Sequence, residues 1–314
     1  MRYWVGVTDK AWHEFLSLIA PEEVNFWQPG GGRTIRAIDT GAPFLFKLKS
    51  PLNYIAGGGF YVRHSILPMS LAWEAFKEKN GAPDFETFRR LINNLRARGK
   101  EIEPDPHIGC IVLASPFFLK RSEWIPIPES WSPNIVQGKT YDTKDSLGLD
   151  LWNKVQERLN LATIMPTLDL AGASLSAEKK RRYSEEFLTR ARLGQGAFRV
   201  LVTEAYNRRC AITGERTLPV LESAHIKPFS QSGPNKVNNG ILLRSDLHTL
   251  FDIGYLTITE SLKVEVSKRI KEEYENGREY YAFHGAKLKS IPFQSNDRPS
   301  RDFLDWHNHK VFVA

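Results

Sequence analysis

In the first half of the chain, short apolar runs alternate with segments in which apolar residues recur at helical spacing. Residues 44–48 and 108–113 are rich in aromatic and aliphatic residues and are bounded by Pro or charged positions, which predicts two short strands. Apolar residues recur at helical spacing over 9–19, 70–79 and 84–98, and the first of these segments opens with an acidic cap residue. This mixture predicts an α+β domain built as a mixed β-barrel flanked by helices.

The pattern changes after residue 152. Residues 159–177 are small and almost uncharged, as in a linker packed on a surface. Ser176 predicts the start of a basic helix that runs towards Arg192, and Gly194 and Gly196 predict a break before another helix. We therefore expect three parts: a first domain over 1–158, a linker and basic helix over 159–191, and a second domain over 192–314.

The overall composition is that of a globular protein, with 41% apolar and 25% charged residues in 314. No apolar stretch is long enough to span a bilayer, and the first residues lack the features of a signal peptide, so we expect a cytoplasmic protein with no membrane partner. Cys110 and Cys210 form no CxxC pair, so we expect neither a disulfide framework nor a structural zinc site.

Positive charge is concentrated in the second part of the chain. Residues 176–314 carry 23 Lys and Arg against 17 Asp and Glu, and thus hold six of the seven net positive charges. Such an excess suits a polyanion, although a solvated helix face explains it equally well. Three arginines are candidates for contacts to the phosphates of such a polyanion, with helix solubility as their alternative role: Arg190, Arg192 and Arg199.

The stretch from Cys210 to Gly254 carries the candidate chemistry. It predicts a strand that ends near His225, a polar loop, a second short apolar run over 241–243, and a short helix that Ser245 caps and Gly254 ends. His248 and Asp252 are four residues apart on that helix, so their side chains share one face. An imidazole and a carboxylate at this spacing can hold one divalent cation.

Hydrolysis of a phosphodiester needs a base for the attacking water and a cation for the developing charge. His225 is the candidate general base. Asn239 is the candidate residue that accepts a hydrogen bond from the second ring nitrogen of His225 and so holds the orientation of the ring. His248 and Asp252 are the candidate metal ligands. Taken singly, each histidine is better explained as an ordinary buried or capping residue; the ordered set points to a nuclease.

This stretch resembles the HNH, or ββα-metal, nuclease family, in the variant with an Ala-His-Ile-x-Pro strand end, an Asn-Gly pair and a His-x-Leu-Phe-Asp helix. The resemblance places the family's general base on His225, its orienting asparagine on Asn239 and its metal ligands on His248 and Asp252, with one divalent metal ion, Mg²⁺ or Mn²⁺, as cofactor. Ala224 departs from the family, because many HNH sites have a metal ligand there. Three groups are candidates for completing the metal shell: water, the scissile phosphate, and Glu222, which lies two residues earlier on the same face of the strand.

The first domain is rich in tryptophan, with seven of the eight in residues 1–152. The segments 3–7 and 25–27, together with a Ser-Pro-x-Asn motif and a glycine run between 44 and 60, resemble the EVE domain of the PUA-like superfamily. The resemblance implies a reader that holds a flipped, modified base in an aromatic pocket. Four residues are candidates for this pocket, although the two tryptophans suit the core of a barrel equally well: Trp27, Ser50, Asn53 and Trp73.

An EVE domain fused to an HNH domain resembles type IV-like, modification-dependent restriction endonucleases. The resemblance implies cleavage of double-stranded DNA that carries 5-methylcytosine or 5-hydroxymethylcytosine. Because one HNH site cuts one strand, we also expect a homodimer. Two alternatives remain open: a nuclease whose first domain reads unmodified DNA or RNA, and a catalytically silent nucleic-acid-binding regulator.

Overall fold

The computed structural model describes residues 1–30, 37–96, 103–159, 187 and 193–314. The chain divides into two compact units, Met1–Leu193 and Gly194–Ala314, which we call the N-terminal and C-terminal units. In the described ranges, no helix is long and apolar enough to cross a membrane. The predicted basic helix, with Ser176, Arg190 and Arg192, lies outside the described residues.

A seven-stranded mixed sheet forms the N-terminal unit. The strands are β1 (Arg2–Thr8), β2 (Glu23–Gln28), β3 (Pro43–Leu48), β4 (Tyr54–Pro68), β5 (His107–Phe118), β6 (Ile125–Pro126) and β7 (Gly138–Asp142). Their order in the sheet is β2-β5-β4-β3-β1-β7, and the short β6 pairs with the start of β4. The pairing of β1 with β3 is parallel, and the other pairings are antiparallel. The two strands predicted over 44–48 and 108–113 are confirmed as β3 and part of β5.

Four α-helices accompany this sheet in the described ranges: α1 (Lys10–Ile19), α2 (Met69–Phe76), α3 (Phe85–Arg96) and α4 (Ser146–Leu159). The predicted acidic cap is confirmed, because the Asp9 carboxylate accepts from the backbone N–H of Trp12 at 3.0 Å. A 3₁₀ turn, Lys77–Asn80, continues α2. Every residue of β3 is buried, because alternate side chains enter two different apolar cores.

The glycine run of the EVE-like motif lies inside the sheet of the N-terminal unit. Gly57, Gly58 and Gly59 lie buried inside β4. A Cβ atom on Gly57 would lie 2.3 Å from the backbone oxygen of Phe117 on β5, and one on Gly58 would lie 2.7 Å from the oxygen of Phe44 on β3. The glycines therefore let neighbouring strands approach closely.

The C-terminal unit is built around a two-stranded antiparallel sheet, β8 (Leu221–His225) and β9 (Gly240–Arg244), and a second pair, β10 (Leu256–Ile258) and β11 (Val264–Val266). Its described helices are α5 (Gln195–Ala205), α6 (Ser245–Asp252), α7 (Arg269–Tyr274), α8 (Arg278–Tyr281) and α9 (Arg301–Lys310). One apolar cluster, including Phe198, Leu243 and Phe251, joins these elements.

Two predicted helix boundaries are wrong. Ser245 is the first residue of α6 rather than its cap, and the cap position is Arg244, whose guanidinium binds both oxygens of Asp246 at 2.6 and 2.7 Å. This ion pair holds the start of the helix. Gly196 does not break a helix but lies buried in the first turn of α5, and Gly194 is the cap position.

The glycine packing predicts a selective loss of stability. Gly57→Ala should lower the free energy of unfolding of the N-terminal unit by about 1–3 kcal/mol, because the new Cβ collides with backbone that cannot move aside. Urea unfolding of the full chain followed by tryptophan fluorescence reports mainly on this unit. Gly30→Ala is the control, since a Cβ there meets nothing within 4 Å. Equal stability of the two variants would contradict this account.

Candidate active site

The ββα segment brings three of the predicted site residues to one cleft. His225 ends β8 and pairs with Gly240, the first residue of β9. Helix α6 begins directly after β9, so His248 and Asp252 return towards the end of β8. His225, His248 and Asp252 all line a cleft of about 480 Å³ in the C-terminal unit.

His225 is held on two sides. Its Nε2 lies 2.8 Å from Oδ1 of Asn235, and its ring stacks on Phe198 with the centroids 3.8 Å apart. Because an amide oxygen only accepts, the imidazole donates from Nε2, and Nδ1 is left as the basic nitrogen. Gly240 makes room for this stack, since a Cβ there would lie within 3.0 Å of the Phe198 ring.

The surroundings of His225 favour its neutral form. Burial lowers the pKa of the imidazole, and the neighbouring His248 lowers it further. The hydrogen bond to Asn235 and the charge of Asp252 oppose this effect without reversing it. An unprotonated imidazole is the form that a general base requires.

His248 lies between two carboxylates. Its Nδ1 is 2.5 Å from Oε2 of Glu222, and its Nε2 is 3.2 Å from Oδ2 of Asp252. Burial alone would lower the pKa of His248, but the hydrogen bonds and charges of the two carboxylates outweigh it and raise the pKa. A cation at Nε2 must therefore compete with a proton.

His248 and Asp252 have the separation that a shared cation requires. Two ligands bound at about 2.1 Å lie roughly 3.0–3.4 Å apart at bond angles near 90–110°, and Nε2 and Oδ2 are 3.2 Å apart. In the described part of the chain, no group of three or more His, Cys, Asp or Glu side chains converges on a metal-sized site. Water and phosphate oxygens would have to supply the remaining ligands, as is common for Mg²⁺.

The position before His225 supplies no ligand atom. Ala224 is fully buried in the apolar cluster of the C-terminal unit. Glu222 does not replace it in the way the sequence suggested, because its carboxylate contacts Nδ1 of His248, on the opposite side of the ring from Asp252.

Asn239 does not orient the imidazole of His225, contrary to the sequence-based expectation. Its buried side chain accepts from the backbone N–H of Lys227 at 2.9 Å and donates to the oxygens of Lys227 and Pro234, each at 2.9 Å. It thereby closes the loop between β8 and β9, because the amide satisfies backbone groups that would otherwise be buried without partners. The residue that contacts the ring is Asn235.

The predicted base-pocket residues are not assembled in one place. Trp27 and Trp73 both pack on Phe88, with ring centroids 5.7 and 5.8 Å away. Trp27 also donates to the backbone oxygen of Asn80. Ser50 and Asn53 lie just before β4 begins. Trp27 pairs with Cys110 of β5, and Cys110 in turn pairs with Ser65, near the end of β4. The two pairs are therefore separated by most of the length of β4.

Of the three candidate phosphate contacts, only Arg199 falls in the described residues. It lies on α5, where its backbone oxygen accepts from the hydroxyl of Ser223 on β8 at 3.1 Å. This places α5 directly beside the strand that carries His225. Arg190 and Arg192 lie outside the described residues.

Sequence reasoning missed the two side chains that hold His225. Asn235 lies in a polar loop where several amides are present, and nothing in the spacing singles it out. Phe198 lies 27 positions before His225 on a helix of ordinary apolar spacing, so only the packing of α5 on the sheet shows the stack.

The comparisons agree with the ββα arrangement. Residues 210–259 match a family model described as HNH endonuclease. This part of the chain is an HNH endonuclease domain, and the resemblance drawn from the motif is confirmed. No curated protein is significantly similar to the chain.

Several solved structures are similar to the chain at low identity. ASCH from Zymomonas mobilis shares 9% identity, covers 48% of this chain and 94% of its own, and has a TM-score of 0.33. A mutant of that protein shares 8%, with coverages of 49% and 97% and a TM-score of 0.33. The modification-dependent restriction endonuclease TagI shares 14%, with coverages of 92% and 75% and a TM-score of 0.26. The predicted α+β class is confirmed by the mixed sheet and the helices of the described ranges.

The different contacts of Asn235 and Asn239 predict different consequences of their removal. Asn239→Ala should lower the free energy of unfolding of the C-terminal unit by about 2–4 kcal/mol, because it leaves buried backbone groups unpaired. Asn235→Ala should cost about 1 kcal/mol or less, while releasing the His225 ring. Urea unfolding and the ¹⁵N shifts of the histidine ring nitrogens measure the two effects. The reverse ranking would show that Asn239, not Asn235, serves the imidazole.

Proposed function

We propose that the protein is a modification-dependent DNA endonuclease in which the C-terminal unit hydrolyses phosphodiester bonds and the N-terminal unit reads a modified cytosine. The observation that carries the first half is the convergence of His225, His248 and Asp252 on one cleft of an HNH domain. Each has the chemistry that hydrolysis of a phosphodiester needs.

His225 is proposed as the general base. The Nε2–H bond to Asn235 and the stack on Phe198 fix the ring plane, so that Nδ1 is free to take a proton from a water molecule. Because burial keeps the imidazole neutral, the base is ready at neutral pH. The attack would take place in the cleft that His225 and His248 line together.

His248 and Asp252 are proposed as the ligands of one divalent cation, Mg²⁺ or Mn²⁺. Once bound, such an ion would neutralise negative charge on the scissile phosphate and polarise its oxygens. The residues of this chain contribute a nitrogen and an oxygen held on adjacent turns of one helix, 3.2 Å apart. The excess of Lys and Arg after residue 176 would attract the DNA, with Arg199 beside β8 as a candidate phosphate contact.

The reading function is proposed from the N-terminal unit. The EVE-like motifs and the partly buried pair Trp27 and Trp73 support it, since rings held by Phe88 and Asn80 offer rigid faces for stacking on a base. Ser50 and Asn53 belong to a different part of the sheet, and we leave them out of the proposed pocket. The proposed ligand is double-stranded DNA with 5-methylcytosine or 5-hydroxymethylcytosine, flipped into the pocket.

Because one HNH site cuts one strand, we also propose that two protomers act together to break a duplex. A nuclease that reads unmodified DNA or RNA, or a silent DNA-binding regulator, would share the same fold, and the experiments below distinguish them.

The reading function predicts discrimination by modification. Otherwise identical duplexes with cytosine, 5-methylcytosine or 5-hydroxymethylcytosine should be cleaved at rates that differ by about tenfold or more, since a pocket that senses one methyl group discriminates by roughly 10–200-fold. The measurement is cleavage with Mg²⁺ or Mn²⁺, with a metal-free control. Equal cutting of the three duplexes would exclude the reader but leave the nuclease intact.

The neutral state of His225 predicts the pH dependence. Burial places the pKa of His225 below 6.5, so the single-turnover rate at saturating metal should fall only as the pH drops below that value, where the imidazole becomes protonated. His225→Ala should lower the rate by about 10²–10⁴-fold. His309→Ala, which removes an exposed histidine of α9, should leave the rate unchanged. Nicking by His225→Ala at the wild-type rate would show that His225 is not the base.

A further inference from the structure

We propose that Glu222 is a positioning residue that fixes the tautomer and orientation of His248, and that it is not a ligand of the metal. This inference rests on the proposed function, because it assigns a role relative to the proposed cation site. It is carried by a single contact, the 2.5 Å separation between Oε2 of Glu222 and Nδ1 of His248.

The geometry of the imidazole separates the two carboxylates. The two ring nitrogens point in nearly opposite directions, and Glu222 is at Nδ1 while Asp252 is at Nε2. A cation held by Nε2 and Asp252 would therefore be bound on the other side of the ring from Glu222. In the observed arrangement, Glu222 is not placed to be its ligand.

The contact also decides which nitrogen is available to a metal. Both carboxylates can accept a hydrogen bond from the ring, but Glu222 is 2.5 Å from Nδ1 whereas Asp252 is 3.2 Å from Nε2. The shorter contact favours the hydrogen of the neutral ring on Nδ1, which leaves the lone pair on Nε2, facing Asp252. Metal-binding histidines commonly have such an outer carboxylate, and its loss weakens metal affinity by about 10–100-fold.

The sheet holds Glu222 where this contact is possible. Glu222 of β8 pairs with Leu243 of β9. Strand β9 ends at Arg244, and α6 begins at the next residue, Ser245. The carboxylate is 46% exposed and the His248 side chain 22%, so Glu222 lies outside the more buried ring. This arrangement suits an outer partner of a metal ligand.

The first test measures Mn²⁺ binding to the full-length, DNA-free protein by titration calorimetry. Glu222→Ala should weaken binding about 10–100-fold, and Glu222→Gln should weaken it less, because the amide oxygen still accepts from Nδ1. Glu260→Ala, an exposed carboxylate of the same unit, should bind as the wild type does. His248→Ala and Asp252→Ala should lose most of the binding.

The second test reads the tautomer directly. In metal-free protein labelled with ¹⁵N at histidine, neutral His248 should carry its hydrogen on Nδ1, and Glu222→Ala should shift it towards Nε2, the form that free histidine prefers. This shift does not depend on catalysis, and a loss of fold would be visible in all the histidine signals at once.

The outcomes separate this proposal from the proposed function. Unchanged Mn²⁺ affinity and tautomer in Glu222→Ala, with losses in His248→Ala and Asp252→Ala, would overturn the positioning role alone. A loss in Glu222→Gln as large as that in His248→Ala would make Glu222 a ligand and overturn it as well. Wild-type affinity in His248→Ala and Asp252→Ala would overturn the metal site itself.

Discussion

The pairing of β8 with β9 is the constraint on which the candidate active site depends. Five residue pairs of antiparallel sheet place His225 opposite Gly240 and Glu222 opposite Leu243. Because α6 starts where β9 ends, its His248 and Asp252 return over the same sheet. A shift of one residue in this register would turn His225 and Glu222 to the wrong faces and separate both imidazoles from their partners.

The two imidazoles of the candidate site are each held by a side-chain acceptor, but their surroundings shift their pKa values in opposite directions. Each ring donates from one nitrogen to an acceptor, Asn235 for His225 and Glu222 for His248, and thereby keeps the other nitrogen available. Burial lowers the pKa of His225 and favours its neutral form, whereas the two carboxylates around His248 outweigh burial and raise its pKa. Two residues of the same type thus favour different protonation states because their neighbours differ.

The rest of the C-terminal unit supports this arrangement. The turn at Cys210 is closed by backbone bonds, from Cys210 to Glu215 and from Gly214 to Cys210, each at 2.9 Å, and by the hydroxyl of Thr213. His307 of α9 stacks on Phe251 and contacts the backbone oxygen at the end of α6. Burial lowers the pKa of His307 to about 4, so this contact is made by a neutral ring. Helix α6 is therefore fixed at both ends, by the Arg244–Asp246 pair and by His307.

Features that depend on local spacing could be predicted from the amino-acid sequence. The Asp9 cap, the strands at 44–48 and 108–113, and the shared face of His248 and Asp252 follow from nearest neighbours along the chain. The ordered set of site residues was enough to identify the HNH domain. Residues one helical turn apart are held together by the helix itself, so no tertiary information was needed.

Contacts between side chains on separate elements could be identified only from the folded structure. Asn235 rather than Asn239 contacts His225, and Glu222 contacts Nδ1 of His248. Loop closure and the register of β8 with β9 set these distances. The glycine run belongs to a buried strand because β3 and β5 approach it from both sides. Spacing along a chain gives no measure of such contacts, since they depend on how separate elements pack.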